Sequence, residues 1–193
     1  MNKGMYIVLL LSFIACNTQV EPHPEKKVIP KIIVLNTNPS LQLVNGIFYY
    51  KNEPFSGYIQ TNFSNNRIQQ IAAYYNGKQQ NWTYSFFDNG KKEAARYYEQ
   101  GEKDSTHYAW WENGNSRFSY QFKNGVYHGC FKEYYLSGKP LKQIWYQNGK
   151  DSCGQGWREN GKLFMNYVMK GERRFGLMNA QLCYSLEKEK VVQ

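Results

Sequence analysis

The chain has 193 residues and a formal net charge of +9, with 41% hydrophobic and 17% aromatic residues. This length suits one domain after an N-terminal leader, and many rings together with many glycines favour a thin sheet stabilised by aromatic side chains. The lysines are spread along the chain with acidic residues between them, so the charge argues against a nucleic-acid partner.

Residues 1–15 have the features of an export signal. Lys3 is followed by the apolar run YIVLLLSFIA, which suits a signal peptide and is too short for a transmembrane helix. The run ends at Cys16, and the sequence FIAC resembles a bacterial lipobox in which Phe13 replaces the more usual Leu. The sequence therefore predicts lipidation of Cys16 and a lipoprotein anchored in the cell envelope, facing the periplasm or the surface. A plain secretory signal and a membrane-buried N-terminus are the alternatives.

Residues 16–40 differ in composition from the rest of the chain. Four of the six prolines lie here, at positions 22, 24, 30 and 39, and the aromatic residues that are frequent later are missing. Because proline favours extended backbone, this segment is expected to be a tether. Within it, the stretch KIIVLN at 31–36 could add an edge strand to the following domain.

Residues 41–175 contain a periodic series of turn signals. An Asn-Gly step between aromatic runs favours a β-hairpin, because both central residues of a tight turn need positive φ. The glycines that mark these turns are Gly77, Gly90, Gly101, Gly114, Gly125, Gly138 and Gly149. Their spacings alternate between 13 and 11, which defines a 24-residue unit with two turns. Such a period predicts hairpins in series that are stabilised by their neighbours.

The odd spacings also predict which side chains share a face. If each turn uses two residues, the segments between turns have odd lengths, so positions counted from the turn stay on one face. The spacings become 12 and 10 at Gly161 and Gly171, which predicts a bulge or a distorted final hairpin there. Five lysines follow turn glycines and are expected to be solvated, namely Lys78, Lys91, Lys139, Lys150 and Lys162.

One face is predicted to carry an unbroken series of rings over seven successive strands. Its members are Tyr74, Phe87, Tyr98, Trp111, Phe122, Tyr135 and Tyr146. The other face is interrupted by Ala73 and Gln121. The series has two interpretations: cross-strand stabilisation of the sheet, or a row of anchors that bind a partner. Phe87, Trp111 and Tyr135 form the row proposed as binding residues to test first.

The repeated pattern resembles a known family. The stretches YYNGKQQNWTYSFFDNGKKEAARYY, WYQNGKDSCGQGWRENGKL and YYKNEPFSGYI are similar to the MORN-repeat variant of bacterial proteins often labelled YwqK-family antitoxins. This resemblance implies an all-β, elongated, single-layer antiparallel meander of hairpins, and a toxin as the partner. The chain departs from the pattern where Asn81, Ser105 and Cys153 occupy the position that Gly57 and Gly129 hold.

The C-terminal stretch 176–193 lacks Asn-Gly turns and is expected to cap the last strand, since an open edge invites pairing with other chains. Cys130 and Cys153 are expected to be free, packed thiols, with a disulfide between them as the alternative. Their spacing to the histidines fits no zinc site, and no cofactor is expected.

Motifs for catalysis are missing from the sequence: it has no phosphate-binding glycine loop, nucleophile elbow or His-Glu-x-x-His pattern. Asp88, Glu112, Glu133 and Glu159 lie beside turns, and this repetition argues against a unique general base. The sequence therefore predicts a non-enzymatic, lipid-anchored protein that binds an unidentified protein partner. An antitoxin or immunity protein and a glycan- or peptidoglycan-binding lipoprotein are the alternatives.

Overall fold

The computed structural model of the protein describes residues 27–177. The signal peptide, the lipidation site at Cys16 and all but the first two residues of the expected C-terminal cap lie outside these residues. Regular structure in the described part of the chain consists of β-strands. A search of the same part for a helix long and apolar enough to cross a membrane finds none.

Sixteen strands occur between residues 27 and 177. They are β1 (Ile33–Leu35), β2 (Leu41–Val44), β3 (Ile47–Tyr50), β4 (Glu53–Pro54), β5 (Gly57–Asn62), β6 (Ile68–Tyr75), β7 (Lys78–Phe86), β8 (Lys92–Glu99), β9 (Glu102–Trp110), β10 (Ser116–Lys123), β11 (Val126–Tyr127), β12 (Gly129–Tyr134), β13 (Pro140–Gln147), β14 (Lys150–Trp157), β15 (Leu163–Lys170) and β16 (Arg173–Leu177).

Thirteen strands form one sheet in which β5 to β10 and β12 to β16 are neighbours in chain order and antiparallel. β11 also pairs with β10, just before β12 does, so the two short strands together complete one hairpin. The predicted all-β meander of consecutive hairpins is confirmed. β1 pairs in parallel with β5 at one end of the order, which is the edge strand expected from KIIVLN. β2, β3 and β4 form a separate small sheet.

The turns of the main sheet are of two kinds, so the prediction that every turn uses two residues is wrong for one edge. At the short-turn edge, both turn residues have φ between +48° and +88° in the turns that end in Gly77, Gly101, Gly125 and Gly149, as in Asn76-Gly77 and Gln100-Gly101. At the long-turn edge one residue has positive φ, Asn66 in the first turn and a glycine in the others, and its N–H donates to the carbonyl three residues earlier, as from Gly90 to Phe87 at 2.8 Å. Next to each long turn the strand pairing shifts by one residue, because the positive-φ residue of the turn forms a β-bulge there.

The even spacings near Gly161 have a different explanation from the one predicted. A bulge lies beside Trp157, but each long-turn hairpin has one there, and the final hairpin β15–β16 has regular register. Instead, the bulge between β13 and β14 near Trp145 shifts the pairing by one residue, whereas the corresponding bulge between β6 and β7 shifts it by two. One residue fewer in β14 gives the spacing of 12 between Gly149 and Gly161. Gly171 is the first rather than the second residue of the last short turn. With both changes, the pairing of β13 to β16 still places directly paired residues on the same face.

Hydrogen bonds join each turn to its neighbour along the same edge. At the short-turn edge the glycine N–H donates to the carbonyl 22 residues earlier, from Gly101 to Gln79 at 2.8 Å and from Gly125 to Lys103 at 2.8 Å. At the long-turn edge, Asn89 Nδ2 donates to the Glu112 carboxylate at 2.8 Å. Turn contacts therefore repeat with the period of the sequence.

Two turn lysines take part in these contacts. Lys91 Nζ donates to the Glu112 carbonyl at 3.0 Å, and Lys139 Nζ donates to the Glu159 carbonyl at 3.0 Å. Both lysines are exposed, as expected for solvated turn residues, and they also make these contacts. Their ammonium groups thus satisfy backbone carbonyls of the next long turn.

The small sheet of β2, β3 and β4 caps the N-terminal end of the repeats. Phe48 N–H donates to the Gly77 carbonyl at 2.9 Å, and Gly77 N–H donates to the Phe55 carbonyl at 2.7 Å. Five buried side chains form the core here, namely Val34, Phe55, Ile59, Ala72 and Tyr74, with Leu41, Phe48 and Tyr50 packed against them. The first repeat is thus covered by residues that precede it in the chain.

Two of the departures from the glycine pattern are explained by backbone conformation. Asn81 has φ of +73° and Ser105 has φ of +57°, so both adopt the left-handed conformation that Gly129 occupies more easily at +77°. Gly57 also has positive φ, but at +151°. Asn81 relieves part of this cost, because its Oδ1 accepts a hydrogen bond from the Trp82 N–H at 2.8 Å. The bulge is therefore kept where the glycine is lost.

Candidate binding surface

The two faces of the main sheet differ in burial. Directly paired residues lie on the same face, so the register places Ser85, Ala94 and Ala109 on one face, here called the packed face. All three are buried. The register places Tyr84, Ala95 and Tyr108 on the opposite side, here called the open face.

The packed face carries all seven rings of the predicted series. Tyr74, Tyr98, Phe122 and Tyr146 are near the short-turn edge, whereas Phe87, Trp111 and Tyr135 begin successive long turns. Each ring is buried or half-buried. The prediction that the series shares one face is thus consistent with the register, and the structure shows what the rings contact.

A chain of ring contacts runs along the short-turn side of the packed face. The His107 ring lies 5.5 Å from Tyr98 and 4.5 Å from Phe122, centroid to centroid. Its Nε2–H donates to the Tyr97 carbonyl at 2.7 Å, and burial lowers the pKa of His107. Burial also raises the pKa of Tyr74 to about 12, with Tyr98 adding to the shift. These polar groups are held in their neutral forms.

The long-turn rings also make structural contacts. Trp111 Nε1–H donates to the Tyr134 carbonyl at 3.1 Å, and the Arg117 guanidinium lies 4.7 Å from the Trp111 ring. The Tyr135 hydroxyl donates to the Trp157 carbonyl at 3.0 Å. Trp111 and Tyr135 thus each hold the next long-turn hairpin in place. The role of Phe87, Trp111 and Tyr135 as binding residues stays a prediction, and a surface that binds a partner is better sought on the other face.

The open face has an aromatic patch, defined here by Trp82, Tyr84, Tyr97, Tyr108 and Trp110. Trp82 lies 6.1 Å from Tyr84 at an interplanar angle of 17° and 5.4 Å from Tyr97 at 75°. On β9, Tyr108 and Trp110 are 6.1 Å apart at 24°. Tyr108 is 40% exposed, and the other four are half-buried. The rings therefore form a continuous apolar surface with a polar hydroxyl or N–H on each member.

A single ammonium joins the two halves of the aromatic patch. Lys92 Nζ lies 4.8 Å from the Tyr84 ring and 5.8 Å from the Trp110 ring. Between these halves, Ala95 separates Tyr84 from Tyr108 in the register and is buried beneath its neighbours. The patch thus combines ring faces with one fixed positive charge, held on strands rather than on loops.

Sequence reasoning missed this patch because it followed positions counted back from each turn. Trp110 lies on the face that Ala73 and Gln121 interrupt, where positions counted from the turns give no unbroken series of rings. Trp82 and Tyr84 lie two residues apart on β7, as Tyr108 and Trp110 do on β9. Alternation within a single strand is the sequence signal that would have identified this patch.

The carboxylates beside the turns have local partners. Glu133 accepts a hydrogen bond from the Tyr120 hydroxyl at 2.6 Å and pairs with Lys142 at 3.2 Å. Burial, reinforced by Glu133, raises the pKa of Tyr120. No group of three potential metal ligands is found among residues 27–177. Glu133 thus acts as a hydrogen-bond acceptor within the sheet, as the Glu112 carboxylate does at its long turn.

Cys130 and Cys153 are free thiols, as expected. Both pair with Trp145, from opposite sides of β13, so they are two strands apart. Neither can bridge to the other across roughly 10 Å of sheet.

Comparison with known proteins identifies no family for this chain. No protein-family model matches the sequence, and no curated protein matches it either. The geometry of the two faces is therefore the basis for assigning a function.

Proposed function

We propose that this chain is a non-enzymatic binding protein, held at the cell envelope by a lipid on Cys16, and that the aromatic patch of its open face binds a protein partner. The observation that carries the proposal is the exposed, ring-rich surface around Tyr108 and Trp110 beside the ammonium of Lys92. Trp and Tyr near the centre of an interface are among the few residues that carry most of its binding energy.

The rigidity of the patch supports this function. Its five rings stand on β7, β8 and β9, which are central strands hydrogen-bonded on both sides. Ring contacts such as that between Trp82 and Tyr97 fix the side chains before a partner arrives. Less conformational entropy is then lost on binding, so more of the contact energy appears as affinity. The resemblance to MORN-type antitoxins supports a protein as the partner, and a toxin is one such protein.

The test is affinity purification of the tagged, full-length protein from its native cells, comparing wild type with Tyr108→Ala/Trp110→Ala. Leu136→Ala is the matched control, because Leu136 is an exposed apolar residue at a long turn and outside the patch. A protein recovered with wild type and with the control, but lost with the double variant, supports the proposal. The purified partner should then bind directly in calorimetry, with the same order of affinities.

Thermal unfolding of all three proteins shows whether the variants remain folded. Retention of the same partner by the folded double variant would refute the assignment of the patch. Release of the protein from membranes by Cys16→Ser is expected if the anchor is a lipid on that cysteine. Unchanged membrane association of Cys16→Ser would refute the anchor while leaving the patch untouched.

A further inference from the structure

A groove lies on the open face at the far end of the sheet from the N-terminal cap, across β13 to β16. The register aligns Trp145, Cys153, Val168 and Phe175 in one row across these four strands. The groove has a volume of about 490 Å³. Trp145 is 37% exposed and Phe175 is 47% exposed, so a ring stands at each end of the row.

Two amides lie beside this row. Gln155 and Asn166 also line the groove and are paired with each other in the register. Gln155 Nε2 approaches Asn166 Oδ1 at 3.4 Å, which is a long hydrogen bond. An amide has two N–H donors and a carbonyl acceptor, so most of the hydrogen-bonding capacity of this pair is available to a ligand.

The charge of the groove selects the class of ligand. Its lining residues are uncharged, although the chain carries a net charge of +9. Lys170 lies at the rim, with Nζ 5.5 Å from the Phe175 ring. The ion pair of Arg174 with Asp151 accompanies the Tyr167 hydroxyl, on the packed side of the sheet. A ligand in this groove thus meets ring faces and neutral amides rather than a charged field.

We propose that this groove binds a neutral oligosaccharide that lies across β13 to β16. A sugar ring has an apolar C–H face that stacks on an aromatic ring, and its hydroxyls exchange hydrogen bonds with amides. Trp145 and Phe175 supply two stacking positions, and Gln155 and Asn166 supply the hydrogen bonds between them. This site is separate from the aromatic patch and does not depend on the protein-binding function.

The distance between the rings predicts the length of the ligand. Trp145 and Phe175 are three strands apart, which is roughly 14 Å for a strand spacing of about 4.8 Å. One sugar ring cannot reach both. Affinity should therefore rise with chain length until both rings are covered and then become constant.

The test is isothermal titration calorimetry of the full-length protein with cello-oligosaccharides and chito-oligosaccharides, from disaccharide to hexasaccharide. In at least one series, the tetrasaccharide should bind about tenfold or more tightly than the disaccharide, because a second ring is engaged. Trp145→Ala should lose that gain, and Trp145→Phe should retain most of it. Leu163→Ala is the matched control on β15, since Leu163 is exposed and outside the groove; it should bind as wild type does.

Other results would overturn the proposal. Absence of binding in both series, with wild type folded, would remove the saccharide site. Tighter binding of polygalacturonate, abolished by Lys170→Gln but not by Trp145→Ala, would replace it with an electrostatic site at the rim. Because the aromatic patch is intact in each groove variant, a failed titration would leave the protein-binding function to its own test.

Discussion

Replacing Gly77 by Ala should destabilise the protein more than the same change at Gly90. Both glycines have left-handed φ, +76° and +81°. A residue with a side chain pays about 1–2 kcal/mol for that conformation. At Gly90 a Cβ would meet no atom within 4 Å, so this conformational cost is the whole expected effect.

At Gly77 the added Cβ would also collide with the N-terminal cap. It would approach the Phe48 carbonyl oxygen at 2.7 Å and overlap Ile47 Cγ2. Relief of the collision moves the turn away from β3 and weakens two backbone hydrogen bonds, from Phe48 N–H to Gly77 and from Gly77 N–H to Phe55. At about 1 kcal/mol each, these bring the expected cost of Gly77→Ala to about 3–4 kcal/mol.

Two measurements separate these costs. Urea unfolding followed by tryptophan fluorescence reports the repeats, because the five tryptophans lie between positions 82 and 157. Amide hydrogen exchange of β2, β3 and β4 reports the cap. We expect faster exchange there in Gly77→Ala and unchanged exchange in Gly90→Ala. Equal loss of stability in the two variants, with equal exchange in the cap, would refute the docking of the cap on the first short turn.

Three further predictions concern the packed face. Burial lowers the pKa of His107 below its ordinary 6.5, so the unfolded chain binds more protons than the folded protein. The free energy of unfolding should therefore fall as pH drops through about 6.5. Urea unfolding between about pH 7.5 and 5.5 should show a smaller slope for His107→Gln. Ala94 is 1% exposed opposite Ala109, so Ala94→Leu should overpack the face and lower the urea midpoint by the equivalent of about 1–3 kcal/mol. Trp111→Phe removes the hydrogen bond to the Tyr134 carbonyl and should cost about 1 kcal/mol in the same assay, with unchanged stability arguing that the bond is not formed.

The repeat and its turns could be predicted from the sequence because positive φ restricts the residue type. Asn-Gly steps mark turns at both edges, short at Asn124-Gly125 and long at Asn89-Gly90, and the odd spacings place the rings of one series on one face. The difference between spacings of 13 and 11 also contained the alternation of short and long turns.

The assignment of binding residues could not be predicted in the same way. Alternation shows that Trp110 and Trp111 point to opposite faces, but it does not show which face is buried. The deciding residues are the small ones, Ser85, Ala94 and Ala109, which leave room for rings from both edges of the packed face. The N-terminal cap was missed because its contact with Gly77 joins segments that no local pattern relates.

The hydrogen bonds between successive turns make the length of the protein adjustable in whole units. Gly101 contacts the strand that follows Gly77, and Gly125 contacts the strand that follows Gly101, so each unit recognises only the one before it. A duplicated copy of residues 78–101 would find the same donors and acceptors at both of its junctions. Inserting or removing 24 residues should therefore change the distance between the N-terminal cap and the last strands while leaving the structure of both ends unchanged.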